Sequence, residues 1–202
     1  MVLIVGINGS SRPKGSTAFL LQQALGAARE AGAQVEMIHV MEALEDQKTP
    51  YCIQCSTPCS GACSLNNNLG KAYDFLRRAD GLILASPVCF GTVSAQLKAF
   101  WDKSRILRKE KALYNMVGAG MAVGASRFGG QETTLKALFD MMLVQGMMIV
   151  GDGFIEADCG HHGACAQAPA EEDAFALQRA RLLGQRVWEV AMAIRILRRH
   201  RL

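Results

Sequence analysis

The sequence predicts an α/β protein in which a parallel sheet carries helices on both faces. Two observations predict it. Short, β-leaning apolar runs alternate with helical patterns from end to end, and those runs are almost uninterrupted in their apolarity, as strands covered on both faces must be. The first strand is expected over residues 2–7, followed by the loop GINGSSRPKGST and a helix over 16–31. A second strand follows over 34–40. Residues 42–67 then break the rhythm, too long for a simple connection and holding four cysteines. The alternation resumes with a helix over 68–79, a strand over 81–86, a helix over 93–108 and a strand over 113–123. A helix over 132–145, a fifth strand over 147–155 and a closing helix over 172–199 complete it. There is no internal repeat and no low-complexity tract. With 202 residues the expectation is one domain, 1–202, with a cysteine-rich insertion at about 42–67.

Composition narrows the function classes. Half of the residues are hydrophobic, which argues against disorder. The net charge of +4 is mild, and much of it lies in the closing RILRRHRL, read as a helix end and ragged tail rather than a nucleic-acid patch. No apolar run reaches the roughly 20 residues of a membrane helix. The opening MVLIV is too short for a signal peptide, so the expected location is the cytoplasm. Thiols stay reduced there, and seven cysteines argue for metal, cluster or redox work more than for disulfides.

In doubly wound sheets ligands bind outside the carboxyl ends of the strands. The loops after strands one, three and four are therefore where chemistry is expected. The first places Ser10, Ser11, Arg12, Lys14, Ser16 and Thr17 at a strand-to-helix turn, where free amides and the helix dipole favour an anion. It is not a P-loop, since Lys14 precedes Gly15, and it lacks the spacing of a dinucleotide fingerprint. A hydroxyl-rich loop without the P-loop Lys-Ser/Thr pair suits a terminal monophosphate; the plain alternative is a surface loop with Ser16 as helix cap. After the third strand comes SPVCFGTVSAQLKAFWDK, in which Pro87, Val88, Cys89, Phe90, Gly91 and Thr92 form a loop able to pass close to a flat ligand. After the fourth comes GASRFGGQETT, with Ser126, Arg127, Gly129, Gly130 and Gln131 facing it from the other side.

Together these three loops resemble those of the flavodoxin-like NADPH-dependent FMN reductase family over essentially the whole chain. The resemblance implies a three-layer sandwich with strand order 2-1-3-4-5. It implies FMN, its phosphate in the first loop (Ser10, Arg12, Ser16, Thr17) and its isoalloxazine ring between residues 87–92 and Ser126, Arg127, Gly130 and Gln131. Cys89 departs from the pattern, in which many relatives carry Tyr; its plain reading is a small buried hydrophobe.

CIQCSTPCSGAC places Cys52, Cys55, Cys59 and Cys63 in a C-x2-C-x3-C-x3-C quartet. Four thiolates in one short run suit an iron-sulfur cluster, and a zinc site or no metal at all remain open. The placement is similar to that of the iron-sulfur flavoproteins of the same superfamily. They carry a 4Fe-4S cluster before the third strand, although their spacing, C-x2-C-x2-C and a wider gap, differs. The DCGHHGAC stretch offers Cys159, His161, His162 and Cys165 in a turn too tight for easy tetrahedral ligation. It is read as a loop bordering the flavin cavity or a subunit contact, with His161 or His162 a possible donor to flavin or substrate. Met141, Met142, Met147 and Met148 read as gap fillers and Trp101 as packing, on a helix that also carries Lys98 and Asp102.

The function expected is an FMN-dependent oxidoreductase passing electrons between a cluster and FMN. Its partners would be a ferredoxin-like donor and a small acceptor such as a quinone or oxygen species, in a homodimer or homotetramer without nucleic acid or membrane. Two alternatives are a cluster-free NAD(P)H-dependent reductase and a non-catalytic flavin-binding or zinc-stapled sensor. The sequence singles out no catalytic residue.

Overall fold

The computed structural model describes residues 1–199; the last three residues of the basic tail, 200–202, lie outside the described residues. The sheet runs β2 (Gln34–His39), β1 (Leu3–Asn8), β3 (Gly81–Pro87), β4 (Val117–Gly124), β5 (Met148–Ile149), all parallel, and β6 (Ala164–Gln167) also pairs with β4. This is the order 2-1-3-4-5. The helices are α1 (Ser16–Glu30), α2 (Val40–Leu44), α3 (Asn68–Arg78), α4 (Ala95–Lys103), α5 (Arg105–Lys109), α6 (Gln131–Leu143) and α7 (Ala174–Arg199). No helix of the described residues is long and apolar enough to cross a membrane.

Strand periodicity builds two cores from one sheet. Val5, Ile7, Leu82 and Leu84 point to one face, where they join Tyr73 and Leu76 of α3, Leu97 and Phe100 of α4 and Leu138 of α6. Ile4, Ile83, Ala85, Ala119 and Met121 point to the other, against Leu20, Leu21 and Ala24 of α1 and Ala180, Leu183 and Val187 of α7. Tyr73 is fully buried and keeps its hydroxyl satisfied by donating to the Phe100 carbonyl at 3.0 Å. Trp101 donates Nε1–H to the Met141 carbonyl at 3.0 Å and packs in the same layer, which is the packing role expected of it. Met141, Met142 and Met147 fill that core too, while Met148 is exposed.

Three elements differ from the sequence expectation. The helix expected over 93–108 breaks at Ser104, whose hydroxyl donates to the Trp101 carbonyl at 2.6 Å and separates α4 from α5. The strand expected over 113–123 begins only at Val117, because Asn115 takes a left-handed φ of 59° in the preceding turn. The strand expected over 147–155 keeps two residues, Met148 and Ile149, paired with Val117 and Gly118. The chain then leaves the sheet and returns as β6 beside Met121–Gly124, so two short strands share one edge position. Asp152 is the reason: a fully buried carboxylate needs a partner, and it finds Arg179 of α7 rather than a place in the strand.

Candidate functional site

Three loops meet at the carboxyl edge of the sheet. In the first, Asn8 is buried at the end of β1; its Oδ1 accepts from Ser10 N at 3.1 Å and its Nδ2 donates to His39 Nδ1 at 3.0 Å. Ser10 Oγ then accepts from Arg12 N at 3.1 Å, which turns the chain toward the helix. Gly9 N donates to the Ala85 carbonyl at 2.7 Å, and a Cβ on Gly9 would stand 2.8 Å from that oxygen and 2.9 Å from Leu97, so no larger residue fits the crossing of β1 and β3. The cap of α1 is Gly15, not Ser16, and the first bond of the helix runs from Phe19 N to the Gly15 carbonyl. The amides before Phe19 therefore have no intrahelical acceptor and face the loop mouth, where Ser11, Arg12 and Lys14 are exposed. Ser16 turns its hydroxyl elsewhere, accepting from Ala170 N at 3.1 Å and donating to Glu171 at 3.3 Å. Thr17 is buried beside it.

The second loop, after β3, is a tight turn. Cys89 and Thr92 exchange backbone bonds of 2.9 and 3.2 Å, with Phe90 (φ 50°) and Gly91 (φ 79°) both left-handed between them. Positive φ at both central positions is the signature of a type I′ turn, and a phenylalanine there is strained. Its ring stands wholly in solvent at 109% exposure. Cys89 is half-buried rather than buried, held in the turn by its backbone. Ser94, buried below, donates its hydroxyl to the Gly9 carbonyl at 2.6 Å and accepts from Leu97 N at 3.2 Å, capping α4 and locking this loop to the first.

The third loop, after β4, repeats the device. Phe128 also has a positive φ of 60° and is 97% exposed, with Ser126 and Arg127 exposed beside it. Gly130 (φ 101°) lies against the second loop: a Cβ there would come within 3.1 Å of Gly91 Cα and 3.2 Å of Val88. Gln131 is buried and spends its amide inside, accepting from Gly129 N at 2.8 Å and donating to the Ser126 and Ala166 carbonyls at 2.7 and 3.3 Å. It shapes the loop.

The three loops thus form a cradle with an anion-favouring helix end at one side and two outward aromatic rings on adjacent glycine turns at the other. Its residues fit a flat ring with a terminal phosphate. Sequence reasoning missed Asn8 and Ser94, which tie the loops together; a serine at the start of the helix expected over 93–108 was the readable signal for the second.

Beyond the third loop a cavity of about 1400 Å3 opens between α6, residues 149–163 and the start of α7. Phe128, Phe139, Phe175, His161, His162 and Cys165 are among its walls. Arg179 pins this region. Its Nε donates to Asp152 at 2.6 Å, and its other nitrogens reach Asp158 at 2.9 and 3.1 Å and the Asp152 carbonyl at 3.1 Å. The bond to Asp152, reinforced by Asp158, holds the guanidinium above its ordinary pKa, and Arg179 in turn pulls the Asp158 carboxyl below the usual range. Asp152 also accepts from His161 N, and the His161 ring stands edge-on to Phe175 at 6.0 Å. Burial, with Glu132 and Asp152 nearby, pushes the Cys165 thiol up to about 12, which keeps it protonated and inert at neutral pH.

The cysteine quartet lies on the loop between α2 and α3. Cys59 and Cys63 pack against the core, Cys52 is half-buried and Cys55 is exposed. Among the described residues no three Cys, His, Asp or Glu side chains converge in a metal-ligating arrangement. The thiols still lie within one another's field: burial raises the Cys63 pKa most, Lys103 opposes it, and Cys59, Cys55 and Cys52 add to it. Asn67 closes the loop, accepting from Gly70 N at 3.0 Å as the cap of α3 and donating to the Cys63 carbonyl at 2.9 Å. In donor chemistry, four soft thiols within one short loop fit an iron-sulfur cluster or zinc.

Comparisons with known proteins agree with this geometry. The NADPH-dependent FMN reductase family matches residues 2–162. An iron-sulfur flavoprotein of Methanocaldococcus jannaschii is 41% identical over 196 residues, spanning 95% of this chain and 98% of its own. An NAD(P)H dehydrogenase (quinone) of Archaeoglobus fulgidus is 31% identical over 184 residues, spanning 88% of this chain and 92% of its own. Among solved structures, a WrbA-like flavodoxin of Agrobacterium tumefaciens shares the fold at a TM-score of 0.64 and 22% identity, over 95% of this chain and 97% of that one. The chain belongs to the NADPH-dependent FMN reductase family and is a flavin-dependent oxidoreductase.

Proposed function

We propose that this chain passes electrons between an iron-sulfur cluster held by Cys52, Cys55, Cys59 and Cys63 and FMN held by the three-loop cradle. The observation that carries the reading is the presence, in one chain, of a cradle for a flat phosphorylated ring and a separate loop with four cysteines. The M. jannaschii relative, an iron-sulfur flavoprotein over nearly its whole length, supports it. FMN supplies one- and two-electron chemistry when bound; the protein positions it and excludes competing contacts. The α1 amides, Ser10, Arg12 and Thr17 would hold the phosphate, with Ser16 serving through its backbone, since its hydroxyl is committed to residues 170–171. Pro87, Val88, Cys89, Phe90, Gly91 and Thr92 would line one side of the ring. Ser126, Arg127 and Gly130 would line the other, shaped by Gln131. His161 and His162 line the cavity beyond Phe128 and would be the donors to a reduced flavin or an acceptor. A ferredoxin-like carrier is the donor this reading calls for, with a quinone or oxygen species as acceptor. The chain acts as one domain with a cysteine-rich insertion, in a homodimer or homotetramer in the cytoplasm.

A second reading is favoured by the separation of the thiols and by the A. fulgidus relative: a cluster-free enzyme in which NAD(P)H reduces FMN, which then reduces a quinone. Anaerobic purification with iron, sulfide, zinc and FMN counted per chain decides between them. About four irons and four sulfides beside one FMN support the first reading. FMN without iron, with rapid NAD(P)H oxidation, supports the second.

A further inference from the structure

We propose that His39 is a positioning residue for the first loop: with a bare, accepting Nδ1 its ring fixes the Asn8 carboxamide, and through Asn8 the backbone of Ser10 and Arg12. The inference rests on the reading of the three-loop cradle as an FMN site, and it names the residue that would couple FMN binding to a proton.

β1 and β2 end in register, with Asn8 opposite His39. By strand alternation Asn8 shares the face of Ile4, and His39 that of Val35 and Met37, which α1 covers. A backbone N–H can only donate, so the 3.1 Å bond from Ser10 N identifies the oxygen of the Asn8 carboxamide. Its nitrogen therefore faces His39 Nδ1, at 3.0 Å. That NH2 group also only donates, so Nδ1 accepts and the ring carries its proton on Nε2. One obligatory donor thus fixes the carboxamide, and the carboxamide fixes the tautomer. Asn8 is fully buried, and Ser10, buried beside it, carries the chain of bonds onward by accepting from Arg12 N at 3.1 Å.

Protonating His39 sets a donor on Nδ1 against the Asn8 donor. The carboxamide cannot answer by turning over, since its NH2 would then meet the Ser10 N–H. Either way one bond is lost, at the root of the loop whose amides would receive the phosphate. β2 packs chiefly on β1, α1 and α2. Of these, β1 has no titratable side chain, and α1 has only Arg29 and Glu30, at the end away from the loop, with Glu30 paired to Arg181. Glu42 of α2 is exposed, Glu36 lies on the opposite face of β2, and Arg12 and Lys14 are exposed on the loop itself. Among the described residues the hydrogen-bond partner of the His39 ring is Asn8.

The test titrates the full chain, stripped of flavin, with FMN from about pH 8 to about pH 5, the range in which an imidazole changes charge. Wild type, His39→Asn and His39→Leu are compared, with circular dichroism reporting folding. Asparagine sets its Oδ1 where Nδ1 stood and does not titrate; leucine removes the acceptor. At the upper pH His39→Asn is expected within about twofold of wild type and His39→Leu about tenfold weaker. Toward the lower pH the wild type should lose about tenfold more affinity than His39→Asn, whose own fall records protonation of the FMN phosphate. Nitrogen-15 NMR of histidine-labelled protein, with His39→Asn identifying the signal, gives a readout that needs no flavin. A neutral ring with its proton on Nε2 supports the assignment, and a neutral ring with its proton on Nδ1 overturns it. Parallel pH profiles of wild type and His39→Asn also overturn it, as does His39→Asn binding as weakly as His39→Leu, which marks His39 as packing. Should His39→Leu not fold, the other two proteins and the NMR signal decide. No FMN binding by the wild type at any pH overturns the cradle reading and this assignment with it, whereas FMN bound with equal affinity by all three overturns the assignment alone.

Discussion

In the three-loop cradle each loop is tied to the sheet, Gly9 to Ala85, Val88 to Val123 and Gln131 to Ala166, whereas residues 45–67 bond chiefly to their own neighbours. Ser56 pairs with Ser60, Ser64 with Gly61 and Asn67 with Cys63, and the links outward run through Lys103, Lys109 and Asp46. On the function proposed above, the difference reflects what each region would recognise. A flat ring with a phosphate is met by backbone amides and turn geometry, which a sheet edge can hold ready. A soft metal group is met by side-chain sulfurs, and its binding energy is available to arrange the loop that carries them.

Four variants break or sharpen that contrast, beginning with the most damaging. Replacing Cys59 and Cys63 together by serine is expected to abolish iron binding while leaving FMN at wild-type stoichiometry, measured by metal analysis and flavin absorbance. Loss of both cofactors would mean that the regions are not independent. Gly9→Ala places a Cβ against the Ala85 carbonyl. Such overpacking costs roughly 1–3 kcal/mol, and FMN affinity should fall at least about tenfold. Flavin fluorescence titration checks this, and unchanged affinity would show that the crossing of β1 and β3 does not shape the site. Asn67→Ala removes the cap of α3 at about 1 kcal/mol, or roughly 2–4 °C in Tm, read by thermal denaturation of the metal-free protein.

The smallest effect belongs to Asp158→Asn. Arg179 lowers the carboxyl pKa in the folded state, so the wild type gains stability above the unfolded value of about 3.9 and loses it as the pH falls through the folded value. Urea unfolding should therefore separate wild type from variant slightly at pH 7 and bring them together as the pH falls below the usual carboxylate range. A gap that persists in acid would assign the effect to packing.

Much of the cradle was legible because its signals are local. Glycines and hydroxyls at a strand-to-helix turn predict free amides whatever surrounds them, and near-continuous apolar runs predict strands with two covered faces. Gln131 shows the limit. Its place in a glycine loop pointed to a ligand contact, yet its amide is turned inward to Ser126, Gly129 and Ala166. Ser16 shows the same limit, since its hydroxyl answers to residues 170 and 171.

By itself the sequence determined the parallel three-layer fold, the order of its elements, the three loops of the cradle and the grouping of four cysteines, because each follows from periodicity or spacing within one stretch of chain. Only the tertiary structure decided where the last strand breaks, which serine locks the first loop, how the thiols stand apart and that a buried lysine reaches Gln47 at the start of the cysteine loop. Those outcomes depend on partners brought together across the fold, Asp152 with Arg179, Ser94 with Gly9 and Lys103 with Gln47. No local pattern encodes them, since a buried polar group takes whichever partner the packed chain brings within reach.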